Sequence, residues 1–181
     1  MIKNLIKKTN FGLARLLSNT SRYIDDLCII NYKHFENLIT DIYPSTLIAS
    51  RSGTNDKEVE YLDVKLTINE TGLKTSVYHK VDDFNFPVTL LTFPENTMPY
   101  RMGIQVFSGQ VIRYARICSS MKDFVDKTSR TYNSLVNRGY DAIKLRLSAE
   151  RALNKHDGLL QKFGLFAARQ LLTDCFVIRS L

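Results

Sequence analysis

Arg22-Tyr23-Ile24-Asp25-Asp26-Leu27-Cys28-Ile29-Ile30 sets two adjacent acids between residues that favour extended backbone. Strand formers on both sides of a short polar step predict a β-hairpin whose tight turn projects carboxylates. Carboxylate oxygens at a turn suit hard cations such as Mg²⁺, which serve chemistry on phosphoryl and nucleotidyl groups. An ordinary solvated turn has the same composition, so the flanking sequence has to decide.

Downstream of this stretch, Phe35, Leu38, Ile39 and Ile42 fall at helical spacing, and Pro44 ends a helix over 34–43. Thr46 to Ser50 reads as a strand, followed by a polar loop over 51–57 around Gly53. Leu62, Val64, Leu66 and Ile68 alternate with period two and predict one strand from Glu60 to Asn69. A turn at Thr71-Gly72 then returns the chain as a partner strand over 73–80. In Asp82-Asp83-Phe84-Asn85-Phe86-Pro87 the acids cap and turn a connecting loop that the two phenylalanines anchor. Beyond Pro94 and Pro99 the period becomes helical, which puts a subdomain boundary near residue 98.

Ile104, Phe107, Val111, Ala115 and Cys118 form the apolar stripe of a first helix in this region. Ser120 and Asp123 form a short-armed capping box opening a second, with Met121, Phe124, Val125, Thr128, Tyr132, Leu135 and Val136 inside and Gly139 as its stop. Asp141 caps a third, carrying Ala142, Leu145, Ala149, Ala152 and Leu153. The order predicts an α+β chain: an antiparallel sheet with a helix, then a small three-helix bundle. At the N-terminus, residues 2–17 read as a short amphipathic helix, either core-facing or lying on a membrane surface. At the other end, Leu159, Leu160, Phe163, Phe166, Leu171, Leu172 and Phe176 suggest one more apolar helix or an appendage.

The chain has 181 residues, 44% of them apolar and 24% charged, the composition of a globular protein. Cys28, Cys118 and Cys175 share no close spacing, which argues against a disulfide framework and for reduced core thiols. His34, His79 and His156 are likewise too scattered to build a metal site. No window is long and apolar enough to suggest a membrane span, so a soluble intracellular protein without a membrane partner is expected. The net charge is +7, and its excess lies between Pro99 and Lys155, where eleven Lys and Arg face four acids. A basic segment of this kind is what a surface facing a phosphate backbone requires, and also what an ordinary solvated helical surface looks like.

Tyr23-Ile24-Asp25-Asp26 resembles the Tyr-x-Asp-Asp signature in the palm of reverse transcriptases. The run from Asp82 to Pro87, the run from Gly109 to Ser119 and Gly139-Tyr140 are similar, in the same order, to metazoan retroelement enzymes related to the Penelope-like elements. The resemblance covers about residues 18–155. It implies part of a palm (18–98) and a helical, helix-turn-helix-like thumb (99–156); outside it lie the N-terminal amphipathic helix (1–17) and the apolar C-terminal helix or tail (157–181).

The implied activity is RNA-directed DNA synthesis with two Mg²⁺ or Mn²⁺ ions. Asp25 would be a ligand to both metals and Asp26 a supporting one, the two being the implied catalytic residues. Tyr23 would lie near the primer terminus, Tyr61 and Leu62 would fall in the primer grip, and Lys57 would stand where a proton donor to the leaving pyrophosphate is placed. Arg113, Arg116, Lys127 and Arg130 would grip an RNA–DNA or DNA duplex.

Palm enzymes also need a metal-binding Asp on an earlier strand, and residues 1–17 contain no acid at all. The expectation is therefore a truncated enzyme, inactive alone, that binds metal only if a complete site is assembled. A nucleic-acid-binding helical module without catalysis and a nonfunctional retroelement remnant are the alternatives. A palm sheet lacking its first strands would also leave an exposed edge through which chains could associate.

Overall fold

The computed structural model describes residues 12, 15, 17–30, 35–38, 43–44, 46–51, 57–85, 93–95, 99–164 and 176. Most of the expected helix over 2–17 and of the one over 34–43, the loop around Gly53, and Cys175, Phe86, Phe166, Leu171 and Leu172 lie outside them. The fold is mixed α+β, with two small antiparallel sheets and several helices. It divides into two compact units, Met1–Leu62 and Asp63–Leu181. Among the described residues no helix is long and apolar enough to cross a membrane.

In the first unit, β1 (Ser21–Tyr23) and β2 (Asp26–Cys28) pair antiparallel with Ser21 opposite Cys28 and Tyr23 opposite Asp26. A further strand, β3 (Glu58–Tyr61), lies near the end of the unit. Leu17, Cys28 and Phe35 are buried, and burial raises the Cys28 thiol above its ordinary value. The strand expected over 46–50 is not formed. Leu47 and Ile48 are exposed there, and two apolar residues without a covered face cannot hold an extended segment in a sheet.

The single strand expected over 60–69 is broken by a tight turn at Leu62-Asp63, where Leu62 takes φ +57°. A two-residue turn preserves period-two alternation, so the pattern reads straight through it. The second unit begins there. Its β4 (Val64–Asn69) and β5 (Gly72–Val77) form a hairpin with Asn69 opposite Gly72, one residue tighter than expected. Gly72 has φ +125°, a conformation that side chains disfavour. Residues Lys80–Asp83 form a short 3-10 turn, and Phe84 beside it is about half exposed.

Three helices follow: α1 (Tyr100–Ile117), α2 (Met121–Val136) and α3 (Ala142–Lys155). Phe107, Val111, Tyr114 and Ala115 of α1, Phe124, Thr128, Tyr132 and Leu135 of α2, and Leu145, Ala149 and Leu153 of α3 are buried, as the apolar periodicity implies. Each large side chain fully buried in such a core contributes about 1.5–3 kcal/mol. Asp141 caps α3 by accepting from the Lys144 amide at 3.0 Å. After α2, Gly139 at φ +93° allows its amide and that of Tyr140 to reach the carbonyls of Val136 and Leu135. The expected capping box at α2 does not form: Ser120 makes no side-chain cap bond, and Asp123 instead pairs with Lys74 at 2.8 Å.

Of the C-terminal segment, residues 157–164 and 176 are described. Residues Asp157–Phe163 wind into a 3-10 helix, Leu160 is buried, and Phe163 stacks on Phe124 with ring centroids 5.7 Å apart. Phe176 is buried edge-on against Tyr132 at 5.0 Å and Phe107 at 6.5 Å, and its carbonyl accepts from the Tyr132 hydroxyl.

Gly103 lies where α1 meets the start of α3. Its hydrogen faces the Tyr140 ring so closely that a Cβ would overlap the ring edge. Tyr140 stacks on Tyr100 at 5.3 Å, and the Tyr100 hydroxyl accepts from the Asp141 amide at 2.9 Å. Gly103→Ala is expected to lower stability by about 1–3 kcal/mol. Gly109→Ala, with nothing within 4 Å of its Cβ position, is expected to raise it by up to about 1 kcal/mol. Chemical denaturation of the two variants separates the effects. Phe176→Ala is expected to cost about 3–5 kcal/mol in the same measurement; a loss near zero would show that the C-terminal segment does not complete the core.

Candidate functional site

The acid pair stands on the shortest possible hairpin. Ile24 and Asp25 form the two-residue turn, and Asp26 begins β2 opposite Tyr23. Such turns need positive φ, and Ile24 adopts +50° although it is β-branched. A side chain of that type in the left-handed region costs on the order of 1–3 kcal/mol and persists only where its surroundings hold it. Arg22 supplies the hold. Its Nε donates to the Ile24 carbonyl at 2.9 Å, while its guanidinium lies 5.3 Å from the centre of the Tyr43 ring and donates to the Tyr43 hydroxyl at 3.4 Å.

Asp25, Asp26 and Tyr23 are all exposed at the tip. Tyr61 donates from its hydroxyl to Ser21 Oγ at 3.3 Å, at the base of the same hairpin. Leu62 is exposed on its turn, and Lys57 is exposed just before β3. The donor set of the tip is two carboxylates, hard oxygen ligands of the kind Mg²⁺ and Mn²⁺ accept. Among the described residues no group of three or more His, Cys, Asp or Glu could hold a metal ion. Asp25 and Asp26 therefore do not by themselves fit a two-metal centre.

In the second unit the structure brings the basic residues of α1 and α2 against acids of the hairpin segment. Arg113 pairs with Asp63, while Lys127 and Arg130 both pair with Asp82, at 3.1 and 2.9 Å. Arg116 is exposed, and its carbonyl accepts from Lys162 Nζ at 3.2 Å. No protein-family model, curated protein or solved structure matches this chain. Its chemistry has to be judged from these side chains alone.

His79 sits within the same cluster. Its Nε2 is 3.3 Å from the Tyr114 hydroxyl, which also meets Thr131 Oγ1 at 3.0 Å. Burial lowers the His79 pKa, and the positive charges of Lys127, Arg113 and Arg130 lower it further against the pull of Asp82. For Asp82 partial burial acts upward, but the Lys127 hydrogen bond and the charges of Lys127 and Arg130 outweigh it and hold the carboxyl below its ordinary range.

Sequence reasoning singles out Arg113, Lys127 and Arg130 but reads Asp82 as a loop cap and His79 as outside any metal site, and pairs neither with these bases. The partners stand 45 to 50 residues away in the chain for Lys127 and Arg113. The usable signal was the placement of Asp63 and Asp82 at the two ends of a hairpin that precedes a basic helical region.

Both titrations act in the same direction. An unfolded His79 binds a proton near about pH 6.5 and the folded one only below that, so stability declines as pH falls through about 6.5. The Asp82 contribution is complete above about pH 3.9 and is lost as pH falls through the lower folded value. Denaturant midpoints followed from neutral to acid pH are expected to show both declines. His79→Gln should flatten the upper one and Asp82→Asn the lower one; an unchanged profile in either variant would remove that residue from the account.

Proposed function

We propose that this chain is a palm-and-thumb portion of a reverse transcriptase of retroelement ancestry, holding nucleic acid within the cell but not polymerising by itself. The observation that carries the reading is the hairpin: Tyr23-Ile24-Asp25-Asp26 closes in two residues, with strained Ile24 between the tyrosine and the exposed acids. Backbone strain retained beside a pair of acids is what a site that must aim carboxylates would keep. In this reading β1, β2 and the strands after them are the palm sheet, and α1 to α3 are the thumb. Tyr23, Tyr61 and Leu62 face the primer side, and Lys57 is the candidate proton donor.

Two-metal chemistry needs a further carboxylate brought to Asp25. When that site is complete, Mg²⁺ or Mn²⁺ would supply charge stabilisation at the phosphates. A second reading, a nucleic-acid-binding helical module without catalysis, is favoured by the concentration of excess positive charge between Pro99 and Lys155.

Primer extension with purified protein, an RNA template, a DNA primer and Mg²⁺ or Mn²⁺ is expected to yield no incorporation. Synthesis that disappears in Asp25→Asn would instead show a closed site in this chain. In a nuclear magnetic resonance titration with an RNA–DNA duplex, signals of Tyr23, Tyr61 and Leu62 are expected to move; if none does, the primer-side reading of the hairpin fails.

A further inference from the structure

We infer that α3, and not the α1 and α2 bases, carries the principal duplex contact, through its outer stripe of Ile143, Lys144, Leu147, Arg151, Asn154 and Lys155. This rests on the nucleic-acid reading above and assigns it a surface. The stripe follows from helix geometry: Leu145, Ala149 and Leu153 are buried on the inner face, and the six named residues are exposed on the outer one. Its exposed residues include no acid. Glu150, to one side, is occupied by Arg146 at 2.8 Å as an i,i+4 pair.

The contrast with the other helices is electrostatic. Arg113, Lys127 and Arg130 face Asp63 and Asp82, so an incoming phosphate would have to displace a carboxylate from each. Among the described residues Arg151 and Lys155 make no ion pair, and Lys144 lies 5.3 Å from the centre of the Tyr100 ring, a contact that leaves its charge uncompensated. The three span about 16 Å along the helix axis, from 1.5 Å per residue.

The ligand class follows from what the stripe lacks. Single-strand binders stack bases on aromatic side chains, and the stripe has none. A membrane-surface helix needs a broad apolar face with aromatic anchors, whereas here two aliphatic residues stand at the N-terminal end of a basic row. A row of cations with Asn154 among them fits the phosphate backbone of a duplex, with Ile143 and Leu147 against sugar or base edges.

Fluorescence anisotropy of the full chain with a short labelled RNA–DNA duplex, titrated over salt, tests this. The triple variant Lys144→Gln, Arg151→Gln, Lys155→Gln is expected to lower the slope of log affinity against log salt by about 2.7 and to weaken binding about tenfold or more. The comparison variant Arg101→Gln, Lys122→Gln alters exposed bases outside the stripe and is expected to leave most of the affinity. Circular dichroism and thermal melts verify that both variants are folded. Equal losses in the two variants would overturn the assignment to α3 and leave the nucleic-acid reading standing. Undetectable binding by the unaltered chain at low salt would overturn both. Binding to phosphatidylserine vesicles through the stripe, without duplex binding, would also overturn the inference.

Discussion

The second unit depends on one junction: the seam where Thr75 of β5 meets the turn between α1 and α2. The Thr75 amide donates to Ser119 Oγ and the Ser119 amide to the Thr75 carbonyl, each at 2.9 Å, while Thr75 Oγ1 donates to the Ile117 carbonyl. At this seam the chain that follows closes the outer edge of β5, and Val77, two residues on, is buried among Phe107, Val111 and their neighbours. The ion pairs around the seam, Lys74 with Asp123, Arg113 with Asp63, and Lys127 and Arg130 with Asp82, are partly exposed and worth about 0.2–1 kcal/mol each. They fix where the hairpin sits more than how strongly it is held. Burial fades toward the hairpin tip, where Ile68 and Leu73 remain exposed as a cross-strand pair.

Local signals were legible in the sequence and distant ones were not. The stripes of α1 to α3, the Asp141 cap and the Gly139 stop depend on neighbours within a few residues, and the structure carries each of them. The acid-bearing hairpin was legible for the same reason, although no pattern showed that Ile24 would take the strained position. The turn at Leu62-Asp63 was hidden because it contains neither glycine nor proline and leaves the alternation intact. The place of Phe176 against Tyr132 was invisible, since one aromatic residue in an apolar tail says nothing of its target. Asp123 looked like a cap because Glu or Asp three residues after Ser is a local signature; Lys74 on β5 drew it away.

The same distinction governs the electrostatics. Counting charges along the chain correctly located the excess between Pro99 and Lys155, but the count cannot see an acid that arrives from an earlier hairpin. Asp63 and Asp82 divide the basic residues into those that serve the fold and those that remain available to the surroundings. His79 belongs to the first group, and its position among three cations ties the integrity of the seam to the proton concentration.

α3 is held against α1 at two places. Tyr140 fills the space over Gly103 at the start, and eight residues after Tyr100 along α1 the Ser108 hydroxyl meets that of Ser148 at 2.6 Å. Two fixed points on a stiff rod leave it no freedom to roll or to slide along its neighbour. Whatever pushes on the outer face of α3 is thus resisted by the whole bundle, which behaves there as an anvil and not as a hinge.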